Sequence, residues 1–350
     1  MDAAPAPLRY PQETPPSEGE TLEIAPGIHW IRMPLPMKLD HVNCYALDDG
    51  DGWTLVDTGF DTKRTRAAWQ AVLDGPLSGK PVSRVLVTHH HPDHVGLAGW
   101  FQADHGAELV TTRTAWLMAR MLVLDVQGRP TSETLAYWRS AGMHPELYDK
   151  RERERPFNFA DIVAPLPLGF KRIKEGDHFR AGGRDWDVRI GNGHAPEHAT
   201  LWSRDAQIVL GGDQLLASIS PNLGVYATEP EADPVAEWLE ACERLSVHAR
   251  DSHLVLPGHK LPFTGLPTRM RQLIDNHRNA LDRLLAALQR PHVAADCFTT
   301  LFKRPIGEGE YGLALVEAMA HLNHLYHLGQ VSRTRRDDGA WLWQAKPGPS

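Results

Sequence analysis

Within seven residues, Thr88-His89-His90-His91-Pro92-Asp93-His94 gathers four imidazoles and a carboxylate. Imidazole is the commonest metal ligand and the usual acid–base side chain near neutral pH. Two imidazoles at i and i+2 on a strand end can point to the same side. A tight turn at Pro92 then brings Asp93 and His94 round to a neighbouring point. Such an arrangement supplies ligands for two cations a few ångströms apart, as metal-assisted hydrolysis often uses. Three more groups repeat the theme: His194 in Gly191-Asn192-Gly193-His194-Ala195-Pro196-Glu197-His198, Asp213 in Gly211-Gly212-Asp213, and His259 in Pro257-Gly258-His259. Asp57, in Val56-Asp57-Thr58-Gly59, is a fourth. The glycines beside them permit tight turns and close backbone approach.

What must position these groups is a set of strand ends. Short runs rich in Val, Ile, Leu or Trp, bounded by Gly, Pro, Asp or Asn, predict strands. They are Ile28–Arg32, Asn43–Leu47, Trp53–Val56, Arg84–Thr88, Glu108–Thr112, Asp185–Ile190, Thr200–Ser203, Gln207–Leu210 and His253–Leu256. Each chemical group follows one of them, at the sheet edge where open α/β sheets bind ligands. Residues 48–52 read as a hairpin turn. Helices are expected over 61–74, 96–105 and 233–246. Residues 113–172 break this rhythm with three helix-like runs, Ala115–Val126, Ser132–Ala141 and Pro145–Arg155, and read as an inserted helical cap. That cap is either ordinary helix packing or an apolar lid. From residue 266 helices are expected over 267–290, 293–303 and 309–329. Val331–Arg335 and Ala340–Gln344 then flank the turn Asp337-Asp338-Gly339, as in a winged-helix-like tail.

The 350 residues suit one large domain or two modest ones, and 42% hydrophobic against 23% charged residues excludes global disorder. Residues 1–20 carry prolines at 5, 7, 11, 15 and 16 and read as an extended or disordered lead-in, with a docked arm as the alternative. The core is expected over 21–265 and the helical tail over 266–350. Net charge is −7, which argues against a nucleic-acid partner. Cys44, Cys242 and Cys297 lie far apart with no C-x-x-C, excluding a disulfide framework and suiting a reducing cytoplasm. No stretch approaches the length of a spanning helix, so no membrane partner is expected. A homo-oligomer stays open.

The ordered set T-H-x-H-x-D-H, G-H, G-D and P-G-H over residues 28–260 resembles the metallo-β-lactamase fold superfamily of metallohydrolases. The resemblance implies an α/β fold, an αββα sandwich with metals at one edge. By position it implies that His89, His91 and His194 hold one metal and Asp93, His94 and His259 the other. Asp213 bridges both, and Asp57 supports the ligand loops from behind. Asp93 and Asp213 are the carboxylates assigned to catalysis; His90 falls on the non-ligand position. Gly212-Asp213-Gln214-Leu215-Leu216, Ser220-Pro221-Asn222, and a helix carrying His277-Arg278 and Arg283 are similar to the β-lactamase-like protein 2 subgroup with its C-terminal winged helix.

Nitrogen and oxygen ligands without thiolate fit two Zn2+ ions best, with Fe2+ or Mn2+ admissible. A hydroxide between the metals then attacks the carbonyl of a small-molecule thioester, ester or lactone, and the apolar cap favours an acyl substrate. The alternatives are a metal-dependent endoribonuclease and a mono-iron oxidoreductase of the persulfide dioxygenase type. Elsewhere blander readings prevail. His198 reads as packing. His321, His324 and His327 read as a helix face rather than another metal site. Arg333, Arg335 and Arg336, followed by two aspartates, read as a mixed solvated hairpin. Lys260 and Tyr226 are left without a role.

Overall fold

The structure, a computed structural model, describes residues 7–347, so the first six residues of the proline-rich lead-in lie outside it. From residue 7 to 20 the chain forms no helix or extended strand, and Arg9 exchanges two backbone hydrogen bonds with Thr264, of 3.3 and 2.9 Å. The chain divides into two compact units. The first runs to Val126 and resumes over Phe157–Pro221 and Leu245–Met270. The second comprises Gln127–Pro156, Asn222–Arg244 and the chain from Arg271 onward. The segment 113–172 is thus divided between them, with its middle in the second unit.

Two sheets form the first unit. One has seven strands in chain order: β1 (Leu22–Ala25), β2 (Ile28–Pro34), β3 (His41–Asp48), β4 (Trp53–Val56), β5 (Val82–Leu86), β6 (Glu108–Thr111) and β7 (Lys171–Arg172). The other runs in the order β12-β11-β10-β9-β8, from β8 (His178–Ala181), β9 (Arg184–Gly191), β10 (His198–Ser203), β11 (Ile208–Gly212) and β12 (Leu254–Pro257). Side chains alternate across a strand, and both faces of the first sheet are apolar. Ile28, Trp30, Tyr45, Leu47 and Val56 meet Trp186, Val188 and Leu201 of the second sheet. Ile31, Met33, Cys44, Ala46 and Leu55 turn the other way, onto Trp69 of α1 (Lys63–Asp74) and Phe101 of a later helix, α3 (Ala98–His105). Between these helices lies the single turn α2 (Pro92–Val95). With both faces covered, β3 is buried at all but its last residue and β4 throughout.

The expected α/β class is the one found. Strands β1, β7 and β8 are additions. The β8–β9 hairpin turns at Gly182 and Gly183, with φ of 60° and 67°, a two-glycine turn that favours a tight hairpin. After β6 comes α4 (Arg113–Leu124), capped by the Thr112 side chain, which accepts from the Ala115 amide.

The second unit contains α5 (Ser132–Ser140) and α6 (Pro145–Arg153). Later come α7 (Pro234–Ser246), α8 (Leu266–Ala287), α9 (Phe298–Phe302) and α10 (Tyr311–His327). The chain closes on a hairpin of β13 (Val331–Arg335) and β14 (Trp341–Ala345). The expected helix over 293–303 is broken into a 3-10 turn, Ala294–Cys297, and α9. No helix among the described residues is long and apolar enough to cross a membrane.

Candidate metal centre

Strand direction decides which side chains meet. β4 and β5 are parallel, as are β11 and β12, and β9 runs with β11 because both are antiparallel to β10. The carboxyl ends of β4, β5, β9, β11 and β12 deliver Asp57, the 88–94 segment, His194, Asp213 and His259. The antiparallel strands β3 and β10 start at this edge with His41 and His198.

His89 Nε2 and His194 Nε2 each lie 3.0 Å from His91 Nδ1. Three imidazole nitrogens converge there. Beside them, His259 Nε2 lies 3.3 Å from Asp93 Oδ2, and His94 Nε2 lies 3.6 Å from it. Asp213 joins the two groups: its Oδ2 is 3.4 Å from His194 Nε2 and 3.3 Å from His259 Nε2. His94 Nε2 and Asp213 Oδ1 are buried, 3.4 Å apart, and make no hydrogen bond. A buried acceptor and ring nitrogen left so are costly unless a cation takes them. Oxygen and imidazole donors in two adjoining clusters suit divalent transition ions. Gly258 leaves the necessary room, since a Cβ there would stand 2.2 Å from Asp213 Oδ1.

The ring orientations are fixed from behind. Asp57 Oδ2 accepts from His94 Nδ1 at 2.7 Å and from the Thr88 hydroxyl at 2.8 Å, while its Oδ1 accepts from the Thr88 amide at 2.8 Å. The Thr88 oxygen is 3.0 Å from His89 Nδ1, so one carboxylate orients two rings. His259 Nδ1 donates to the His41 carbonyl at 2.8 Å. Asp57 itself sits at φ 60°, a left-handed position that aspartate tolerates better than most residues.

Burial and charge set the protonation. Burial, reinforced by neighbouring imidazoles, holds His89 and His91 well below the usual histidine range. In His94 burial pulls the same way, but Asp213, Asp93 and Asp57 outweigh it and raise the ring well above that range. Against the same burial penalty, Asp213 and Asp93 push His259 up to about 10. Burial disfavours ionised Asp213, yet His259 and His94 hold it well below the usual carboxylate range. His89 and His91 therefore offer bare lone pairs, while His94 and His259 hold protons that a cation must displace.

Residues 37–287 match the model of the metallo-beta-lactamase superfamily, and 281–346 match the metallo-beta-lactamase-like C-terminal domain. The chain belongs to the metallo-beta-lactamase superfamily. It is a metallohydrolase-type chain whose His and Asp clusters can hold divalent ions. A solved structure, a beta-lactamase domain protein from Burkholderia ambifaria, is 36% identical with a TM-score of 0.89, covering 97% of this chain and 98% of that one. A metallo-beta-lactamase family protein from Thermus thermophilus is 28% identical with a TM-score of 0.76, covering 92% and 100%. The probable metallo-hydrolase YqjP of Bacillus subtilis is 29% identical over 305 residues, 84% of this chain and 91% of that protein.

In this superfamily member three residues escape a reading of spacing. His198 is more than packing: its Nε2 accepts the Asp213 amide at 3.1 Å, and its ring stacks on His89 with centroids 4.5 Å apart. Thr88 and His41 act through hydrogen bonds to partners remote in sequence. The only local signal for Thr88 is its place just before His89. His90 is buried, its Nδ1 makes no hydrogen bond, and burial lowers it to about 3, a neutral ring outside the clusters. Lys260 contributes backbone: its amide donates to His41 Nε2 and its carbonyl accepts from Arg32 and Asn43. In the tail, Arg333 pairs with Glu231 and lies over Tyr326, Trp341 and Trp343, and Arg336 pairs with Asp338. His324 and His327 pair with Asp233.

Proposed function

We propose that this protein is a dinuclear zinc hydrolase that cleaves a small-molecule thioester, ester or lactone with an apolar acyl part. The observation that carries the reading is the Asp213 carboxylate, within 3.4 Å of a ring nitrogen in each of two adjoining clusters. His89, His91 and His194 would hold one ion and Asp93, His94 and His259 the other, with Asp213 between; Fe2+ or Mn2+ would suit the same donors. When bound, the two ions supply Lewis acidity and a water ionised near neutral pH. Asp57, Thr88 and His41 hold the rings in place, and His198 holds the Asp213 backbone. Against its burial, His94 and His259 hold Asp93 ionised, and with 18% of its side chain exposed against 8% for Asp213 it is the carboxylate suited to accept a proton.

The substrate class rests on α4. The amide of Thr114, in its first turn, donates to Glu197 Oε2 at 2.7 Å, three residues after His194. Along the same helix Leu117, Met121 and Leu124 are exposed at i, i+4 and i+7, an apolar stripe that an acyl chain would cover. Three buried free cysteines support a reducing, cytoplasmic setting. Helices followed by the β13–β14 hairpin support a winged-helix-like tail, whose engaged Arg333 and Arg336 do not favour RNA.

The test is turnover of metal-loaded protein on acyl-CoA, lactone and aryl ester panels. Hydrolysis that vanishes in His91→Ala supports the reading. Cleavage of single-stranded RNA instead, or one iron per chain with oxygen uptake, replaces it.

A further inference from the structure

In the second unit, His277 on α8 and Glu317 and His321 on α10 offer donor atoms that all lie within 4.8 Å of one another. Glu317 and His321 stand at i and i+4, so they share a helix face. His277 and His321 are almost wholly buried, at 1% and 2% exposed, with rings stacked at 5.3 Å. His321 Nδ1 donates to the Glu317 carbonyl at 2.9 Å, which leaves the lone pair on Nε2. That Nε2 points at His277 Nδ1 across 3.2 Å. Two nitrogens on one tetrahedral zinc, with bonds of about 2.0–2.1 Å, stand about 3.3 Å apart. The Glu317 carboxylate is itself held, its Oε2 accepting from Asn222 Nδ2 at 2.7 Å. A backbone carbonyl behind the histidine and an amide behind the carboxylate are the supports that metal ligands use.

A hydrogen-bonded histidine pair and a metal-linked pair differ in which nitrogen of His277 carries the proton. If His277 Nδ1 donates to His321, then His277 Nε2 keeps a buried lone pair, and that atom has no hydrogen-bond partner. With an ion between the rings, Nδ1 binds it and the proton moves to Nε2. We propose that His277, Glu317 and His321 form a further, mononuclear site for a divalent transition ion. Two imidazoles and one carboxylate with a free position suit Zn2+. The histidine repeat on α10 conceals this, because His324 and His327 pair with Asp233 while His321 turns to α8.

The test uses the full chain crystallised with Zn2+ and measured at the zinc absorption edge. A peak between His277 and His321 is expected, besides those at the His89 and His259 clusters. Filled clusters with no peak at His277 overturn the proposal. In solution, Glu317→Gln should weaken one class of zinc site at least about tenfold and leave the others unchanged. Unchanged zinc content and affinity in a folded Glu317→Gln protein also overturn it. Because each site is counted separately, loss of the catalytic reading does not decide this one.

Discussion

The amide of Asp213 hangs on the imidazole of His198, N to Nε2, at 3.1 Å. Burial drives the His198 ring down to about 3, so it is neutral and a steady acceptor. His198→Leu removes the acceptor and should weaken zinc binding by about 10–100-fold. His198→Gln, which retains an acceptor, should recover part of it. Competition with a chromophoric chelator measures both; equal affinity in the two variants would reduce His198 to packing.

Gly258→Ala is expected to cost bound metal. The added methyl would stand 2.2 Å from Asp213 Oδ1 and 2.8 Å from His94 Cε1, neither able to retreat from a buried cluster. Elemental analysis after dialysis should show metal lost from the His94 side first. Full retention contradicts the packing around Asp213.

Asp57→Asn keeps a residue that tolerates the left-handed backbone but turns one acceptor into a donor. Thr88 and His94 can no longer both be served. Zinc affinity should fall by about 10–100-fold with the fold intact by circular dichroism.

Stability of the metal-free protein should fall as pH rises from 7 towards 10. His259 is raised to about 10, so its ionic contribution is complete below the ordinary histidine value near 6.5 and is lost as pH rises through 10. Metal loading should reverse the trend, since ligation needs the neutral ring. Thermal melts with and without chelator measure both, and proton release on zinc binding should appear as a buffer-dependent binding enthalpy.

Met121→Glu places a charge in the α4 stripe. KM for a long-chain acyl thioester should rise about tenfold, with kcat and the kinetics of an acetyl ester little changed. An equal effect on both substrates would detach the stripe from the acyl chain.

Local signals carried much of this molecule. Strand ends marked Asp57, His89, His91, Asp93, His94, His194, Asp213 and His259, and all eight lie at the carboxyl ends of strands from the two sheets. The hairpin at 48–52 was equally plain. Contacts across long separations were not. His259 finds the His41 carbonyl 218 residues away, and no periodicity encodes that pairing. The segment 113–172 reads as one insertion because its helices are continuous in sequence, while compactness divides it at Val126 and Pro156. β7 has two residues, too few to carry an alternating pattern. His321 was legible as a helical histidine but not as a neighbour of His277, which arrives from another helix.

The ligand groups come from both sheets: the 88–94 segment extends the seven-stranded one, and His194, Asp213 and His259 extend the five-stranded one. Cations gripped between them would act as a clasp on the mouth of the sandwich. Withdrawing them should loosen that rim before the far end, so amide exchange under chelation should begin at residues 57–59, 88–94 and 191–198 and spread inward. Metal supply would then govern how long the folded chain survives as well as whether it turns over.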